Sequence, residues 1–499
     1  MARKKKIAVI GAGLGGMSAA ARLAHAGFDV DLFEQNEIPG GKANEFYDNG
    51  FRFDAGPSLL TMPFVLRELF EDLGEKIEDY IELTRLNIIC KYFWDDGTIL
   101  NAFDDVDKFA KEIECKTNDL AKSVLKYLKY SQKIYELTAD LFLFNSISDF
   151  KNIFSVRSLN TLFQLHKIDL FRTMHEANKS FFKDEKTIQL FDRYATYNGS
   201  SPFKAPATLN IIQHVEYNLG AFVSKKGMYS VADAVYKLAL KNGVKFFFNS
   251  KVEKINHAQR KISGLEILSN GKIKIKNYDA VISNADVSFT YDKLLDVKEE
   301  NPVKIKTLEP SSSAVVFYWG IKGTHKELDV HNILFSNNYE KEFHDIFNLK
   351  ICGDDPTIYI YISSKFNASD APEECENWFV MINAPVDYGQ DWHKEKIRLK
   401  EIIVHKIKSV LKIDIADKII SEKIITPEDL EMSTSSERGS IYGISSNNKY
   451  AAFMREKNKS RKYNGLYFCG GSAHPGGGIP LVLLSGKITA DLVTRHQND

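Results

Sequence analysis

The chain has 499 residues, 44% of them apolar and 26% charged, and its 66 basic residues are balanced by 66 acidic ones. This is ordinary globular composition with enough length for two or three packed units, which excludes a mainly disordered chain. A formal charge of zero gives no global basic field, and no nucleic-acid partner is expected. The cysteines, Cys90, Cys115, Cys352, Cys375 and Cys469, lie far apart with no C-x-x-C. Neither a disulfide framework nor a metal site is expected, and a reducing compartment fits best. No run reaches the roughly 18 apolar residues of a membrane-spanning helix.

In chain order, the basic start through Lys6 followed by an apolar stretch has the charge layout of a secretory signal. Four glycines interrupt that stretch, and a strand–turn–helix pattern continues beyond it. A β-branched run over 7–10 predicts a buried parallel strand, 17–26 a small-residue helix stopped by Gly27, and 28–33 a second strand ending at Glu34. From 76 to 224 helical spacing dominates, rich in Phe and Leu. A helix is expected over 231–240, with strands over 244–248, 252–255 and 278–283. The stretch 290–450 mixes strands, including 314–319 and 357–362, with helices. The C-terminus returns to a strand over 466–469, a glycine-rich turn, and an apolar helix over 481–493. No internal repeat is present.

Gly11, Gly13 and Gly16 fit G-x-G-x-x-G between a predicted strand and helix, the context in which backbone amides and a helix N-terminus bind a pyrophosphate. Glu34, 18 residues beyond Gly16, is placed to accept from ribose hydroxyls. These features leave NAD and FAD both open. A second glycine pair, Gly40–Gly41, suits a cofactor lying extended along the backbone, with Lys42 reaching phosphate or flavin. Phe51 through Ser58, including Gly56, Pro57 and Ser58, follows closely. Five glycines between 470 and 478 place backbone rather than side chains against something flat. The following helix aims its N-terminal dipole at the same object, as a reduced flavin ring would require.

Over 7–58, 227–255, 279–285 and the C-terminal block through His474 and Pro480, the sequence resembles the phytoene-desaturase-type carotenoid desaturases, flavoproteins of the amine-oxidase-like superfamily. The resemblance implies an α/β fold. Its Rossmann-like FAD-binding domain would be assembled from segments 1–75, 225–290 and 455–499. A mixed α+β substrate domain over 291–454 and a helical membrane-contact region over 76–224 would be inserted between them. It implies FAD held by Gly11, Gly13, Gly16, Glu34, Gly40, Gly41, Lys42, Gly56, Pro57 and Ser58. Val252 would meet the adenine through its backbone. Gly470 and Gly471 would also bind the cofactor, and Gly478, Ile479 and Pro480 would face the isoalloxazine. Two departures stand out: Lys42 where arginine is commoner, and Gly471 where many relatives carry an acid on the ribityl chain.

The implied substrate is a carotenoid, so contact with a lipid bilayer surface is expected, through an amphipathic patch within 140–175 that includes Lys151, Arg157, Lys167 and Arg172. The expected location is cytoplasmic, peripheral on the inner face of the membrane, with oxygen or a quinone as electron acceptor. A hydrocarbon offers no acidic proton, and no catalytic side chain is identified; His474 is expected to fix its loop. The ending after Gly476 and the run 451–458 look like the branch of carotenoid 3,4-desaturases. A multistep phytoene desaturase, an isomerase or saturase, a prenyl-lipid-binding protein and an amine oxidase are the alternatives.

Overall fold

Ile7, Ala8, Val9 and Ile10 are all buried in the strand Lys6–Ile10, because that strand has a parallel neighbour on each side and a packed layer on each face. It is the centre of a five-stranded parallel sheet in the order Leu466–Phe468, Ala280–Ser283, Lys6–Ile10, Asp29–Phe33, Lys245–Phe247. The computed structural model describes residues 3–144, 168–301, 307–448 and 454–498. Strands from the beginning, the middle and the end of the chain therefore form one ladder.

One face of this sheet is covered by the helices Leu14–His25, Tyr229–Lys241 and Ile479–Asn498, which share one apolar core with the strands. The other face meets a three-stranded antiparallel sheet, Ser250–Ala258, Lys261–Ser269 and Lys272–Asn277. Its turns fall at Gln259–Arg260 and Asn270–Gly271, all four residues with positive φ, as a tight two-residue hairpin requires. The first helix begins at Leu14, ahead of the expected residue 17, because Gly13 is already its N-cap.

A seven-stranded mixed sheet forms the second layer system, in the order Ile419–Ile425, Ser313–Lys322, Cys375–Ala384, Ile358–Ile362, His331–Leu334, Ile88–Phe93, Ile99–Phe103. Only the pairing of His331–Leu334 with Ile88–Phe93 is parallel. Its two faces differ as strand alternation demands. Val315, Phe317, Trp319, Trp378, Val380 and Ile382 pack with helix Trp392–Leu411. Tyr318, Phe379 and Tyr361 lie on the opposite face, clustered with Phe51 and Phe53 of strand Phe51–Asp54.

The expectation of a helical stretch over 76–224 needs correction. Helices Val106–Lys116 and Ala121–Phe142 are present, but so is the hairpin Ile88–Phe93/Ile99–Phe103 at the sheet edge. Its turn closes through the Gly97 N–H on the Trp94 carbonyl at 3.0 Å, with Gly97 at φ +84°. Short alternation bounded by Asp-Asp-Gly is a strand signal that the helical texture on either side outweighed. The patch expected within 140–175 falls largely on residues 145–167, outside the described residues.

Arg52 ties the two layer systems together. It is buried, with Nη2 2.6 Å from Asp54 Oδ1, Nε 2.7 Å from Glu45 and Nη1 3.2 Å from Asp370. Asp54 also accepts from the Tyr229 N–H at 3.0 Å and the Tyr361 hydroxyl at 3.1 Å. A buried guanidinium is tolerated because all three partners are carboxylates.

Candidate cofactor and substrate site

The first glycine turn lies between the strand Lys6–Ile10 and helix Leu14–His25. The Gly11 N–H donates to the Phe33 carbonyl at 2.8 Å, which fixes the turn against the neighbouring strand. A Cβ at Gly16 would overlap the Gly11 carbonyl oxygen, so the helix can lie on the turn only with glycine there. No side chain caps the N-terminus of this helix, and its first turn carries no acid. Its leading N–H groups are left for an anion.

The second glycine pair lies directly on the first. The Gly40 N–H donates to the Ala12 carbonyl at 2.9 Å, and a Cβ at Gly41 would come within 3.3 Å of the Gly13 Cα. Glu34, 6% exposed at the end of its strand, takes the Ala12 N–H at 2.8 Å on one oxygen. Its other oxygen takes the backbone and side-chain N–H groups of Asn36, both at 2.9 Å. The carboxylate thus clamps the glycine turn, and its unused lone pairs remain for a ligand hydroxyl. The Ser250 N–H donates to the Glu34 carbonyl at 2.8 Å, which brings Val252, two residues on, to the same corner.

Lys42 reaches across to the carbonyls of Ser440 and Ile441, at 2.9 and 2.8 Å. The residue is exposed yet its ammonium is surrounded by protein, and desolvation lowers its pKa to about 8, with Asp286 pulling the other way. A Cβ at Gly56 would overlap the Lys42 carbonyl oxygen, so the turn through Gly56, Pro57 and Ser58 lies on the Lys42 backbone. Ser58 Oγ is 2.6 Å from Tyr359 Oη, on the aromatic side of the seven-stranded sheet.

The C-terminal loop forms the opposite wall. The Gly470 N–H donates to Ser485 Oγ at 3.1 Å, and Ser485 donates to the His474 carbonyl at 2.7 Å. The His474 N–H donates to the Glu456 carbonyl at 3.0 Å. The His474 backbone therefore fixes the loop, as expected of that residue. Gly478, at φ +102°, has open space where a Cβ would stand, immediately before Ile479 and Pro480 at the start of the last helix. Two glycine-lined loops and two helix N-termini make up the donor set of this region. That donor set fits a flavin dinucleotide.

Two residues that the sequence did not single out organise this site. Asn284, just past strand Ala280–Ser283, donates its backbone N–H to the Ile10 carbonyl at 2.9 Å. Its side chain sits on the glycine turn, so close that a Cβ on Gly13 would stand 2.7 Å from Nδ2. Arg455 is buried and donates to the carbonyls of Gly471 (2.9 Å), Tyr442 (3.1 Å) and Ile444 (2.9 Å) and to Asn198 Oδ1 (3.2 Å). Burial pushes its pKa down to about 10, opposed by Asp286. Where an acid on Gly471 was noted as missing, the structure puts an arginine on the Gly471 carbonyl. Both lie in stretches that carry the resemblance, 279–285 and 451–458, but their roles are set by partners far away in the chain.

Beyond the Tyr359 face, Arg193 and Glu216 form a buried pair at 3.1 Å. Arg193 Nε meets the Tyr92 hydroxyl at 2.8 Å, and the hydroxyls of Tyr194 and Tyr197 both donate to Glu216. The guanidinium lies 4.2 Å from the Tyr194 ring centroid. This cluster is polar but saturated, walled by aromatic rings.

Residues 14–319 match the family described as flavin containing amine oxidoreductase. The 1-hydroxycarotenoid 3,4-desaturase of Flavobacterium sp. (strain P99-3) is 44% identical over 98% of this chain and 99% of its own. The 4,4'-diaponeurosporene oxygenase of Staphylococcus haemolyticus is 32% identical over 98% of this chain and 97% of its own. Among solved structures, an oxidoreductase from Methanosarcina mazei shares the fold, with a TM-score of 0.61 at 17% identity, covering 97% of this chain and 100% of that one. The protein is an FAD-dependent oxidoreductase. The chain belongs to the flavin containing amine oxidoreductase family, within its carotenoid desaturase-type branch.

Proposed function

We propose that this chain desaturates the C3–C4 bond of a hydroxylated carotenoid with FAD as oxidant. The observation that carries this reading is the 44% identity, over nearly the whole of both chains, to a 1-hydroxycarotenoid 3,4-desaturase. The geometry supports it: the aromatic face of the seven-stranded sheet is joined to the glycine loops through Ser58, and a polyene needs an apolar, ring-lined surface beside the oxidant. Bound FAD supplies a two-electron acceptor for hydride. The substrate gives the hydride of its allylic carbon to that acceptor and a proton from the neighbouring carbon to solvent at the edge of the site, and the polyene delocalises the positive charge between the two losses. The protein holds the bond in place and keeps water away.

In this proposal Gly11, Gly13 and Gly16 with helix Leu14–His25 hold the pyrophosphate, Glu34 the ribose, and Val252 the adenine. Gly40, Gly41, Lys42 and the backbone of Gly56, Pro57 and Ser58 line the middle of the cofactor. Gly470, Gly471, Gly478, Ile479 and Pro480 lie at the flavin. Segments 1–75, 225–290 and 455–499 make the FAD-binding domain. The inserted substrate domain over 291–454 is extended by the 88–103 hairpin, and the membrane-contact region lies within 76–224. Among the described residues no helix is long and apolar enough to cross a membrane. A bilayer-dissolved substrate therefore calls for peripheral contact, on the cytoplasmic face. Phe171, 84% exposed next to Arg172, supports a contact there. Oxygen or a quinone takes the electrons.

The test uses liposomes loaded separately with a 1-hydroxycarotenoid, the matching carotenoid without the hydroxyl, and phytoene, each mixed with protein and FAD. A red shift of the hydroxylated pigment with loss of two hydrogens by mass is expected. Coloured products from phytoene would instead make this an early-pathway desaturase. Gain of oxygen would make it an oxygenase like the staphylococcal relative.

A further inference from the structure

The aromatic face of the seven-stranded sheet carries one line of polar side chains that the cofactor assignment, which takes only the backbone of Ser58, does not use. Ser58 Oγ and Tyr359 Oη are 2.6 Å apart, and Tyr359 Oη is 2.7 Å from His331 Nδ1. His331 is 3% exposed and stacks on the rings of Tyr359 and Tyr361, with centroids 6.1 and 5.0 Å away. Its Nε2 is buried with no partner among the described residues. Burial, with Arg193 nearby, lowers the imidazole pKa to about 3, so the ring is neutral.

A neutral imidazole carries one proton. On Nε2 that proton would be a buried N–H with nothing to accept it, a rare and costly defect; on Nδ1 the defect is only an unused lone pair. The proton therefore sits on Nδ1 and is donated to the Tyr359 oxygen. With no other acceptor beside it among the described residues, the Tyr359 hydroxyl then donates to Ser58 Oγ, which leaves the Ser58 proton free for another acceptor. A serine that donates or accepts with equal ease becomes a fixed donor. Ser58 and Tyr359 are both partly accessible, and the Ser58 turn lies on the Lys42 backbone, one residue from the glycine pair.

On a 1-hydroxycarotenoid the hydroxyl oxygen is three bonds from C3. Any group that reads this oxygen must stand beside the bond being oxidised, and so beside the cofactor loops. We propose that Ser58, held as a hydrogen-bond donor by Tyr359 and His331, binds the C1 hydroxyl oxygen and thereby sets the C3–C4 bond in position. This inference rests on the desaturase reading above and makes Ser58 a specificity-determining residue, not a base.

The test compares flavin-loaded wild type, Ser58→Ala, Ser58→Thr and Tyr359→Phe on a 1-hydroxycarotenoid and on its analogue bearing hydrogen in place of the hydroxyl. In Ser58→Ala the ratio of kcat/KM between the two substrates is expected to fall about ten-fold, through KM of the hydroxylated one. Ser58→Thr, which keeps the hydroxyl, should restore the ratio, and Tyr359→Phe should lower it part of the way. Equal losses on both substrates, or a lowered flavin content and shifted flavin spectrum in Ser58→Ala, would overturn the inference and make Ser58 a structural or cofactor residue. Pigment affinity is measured separately by quenching of flavin fluorescence. A wild type that oxidises neither pigment defeats the desaturase reading. Equal affinity of wild type and Ser58→Ala for the hydroxylated pigment defeats the Ser58 assignment on its own.

Discussion

Gly56 has no room for a single methyl group, because the Lys42 carbonyl oxygen occupies the position of its Cβ. Gly56→Ala must push the Gly56–Ser58 turn off the Lys42 backbone, at a cost of about 1–3 kcal/mol. We expect a lower melting temperature together with a reduced ratio of flavin to protein absorbance. Loss of stability with full flavin content would separate this turn from the cofactor. The glycine motifs were legible in the sequence because their spacing is local. Asn284 and Arg455 were not, since the positions they hold belong to other segments. Arg455→Met should therefore cost flavin content, measured by the same absorbance ratio, although the run 451–458 gave no role for it.

Glu376 supplies a pH dependence that can be worked out in sign. Burial alone would raise its carboxyl. Hydrogen bonds from His325 (Nδ1 at 2.8 Å and N–H at 3.0 Å), Trp378 at 2.9 Å and Lys365 at 2.9 Å bring it from 4.5 down to about 2. A carboxyl depressed in the folded state contributes stability that is present above the unfolded value and lost as pH falls through the folded one. Between pH 4.5 and 2 the wild type should lose roughly 3 kcal/mol from this group. Glu376→Gln should be less stable at pH 7 and show a shallower decline in that window, read by denaturant unfolding at each pH. Parallel declines in the two proteins would contradict the assignment.

At the scale of elements, helices Leu14–His25 and Ile479–Asn498 cross where Gly486 meets the Gly15 carbonyl. A Cβ on Gly486 would stand 2.5 Å from that oxygen and 2.8 Å from the Ser18 Cβ. Both helices begin at the proposed cofactor site, so their contact sets the distance between the two N-termini. Gly486→Val should destabilise by about 1–3 kcal/mol and release flavin at a lower temperature, seen as free-flavin fluorescence during a melt. The apolar character of 481–493 was plain in sequence, but the contact was not, since it joins residues near the two ends of the chain. The 88–103 hairpin was missed for a different reason. Its alternation is short, and strong helical periodicity follows it at 106–142.

For the whole molecule, the parallel sheet could be anticipated because each contributing segment carries its own strand and glycine turn. The seven-stranded sheet could not be ordered in the same way. Its parallel joint sets Ile333 beside Tyr92, a pairing between distant segments that no local pattern encodes. Yet that joint holds together the face on which Tyr92, His331 and Tyr359 lie, the face from which Ser58 is reached. The proposed substrate surface depends on long-range pairing, while the glycine turns of the proposed cofactor site are local.

In the proposed reaction this surface delivers a hydroxylated carotenoid to FAD for loss of two hydrogens. Anaerobic mixing of the flavin-loaded protein with liposomes holding a 1-hydroxycarotenoid tests it most directly. The oxidised-flavin absorbance is expected to bleach as the pigment shifts to the red, in one time course and with one new double bond per flavin. A pigment that changes while the flavin stays oxidised, or a flavin that bleaches with no new double bond, would contradict it.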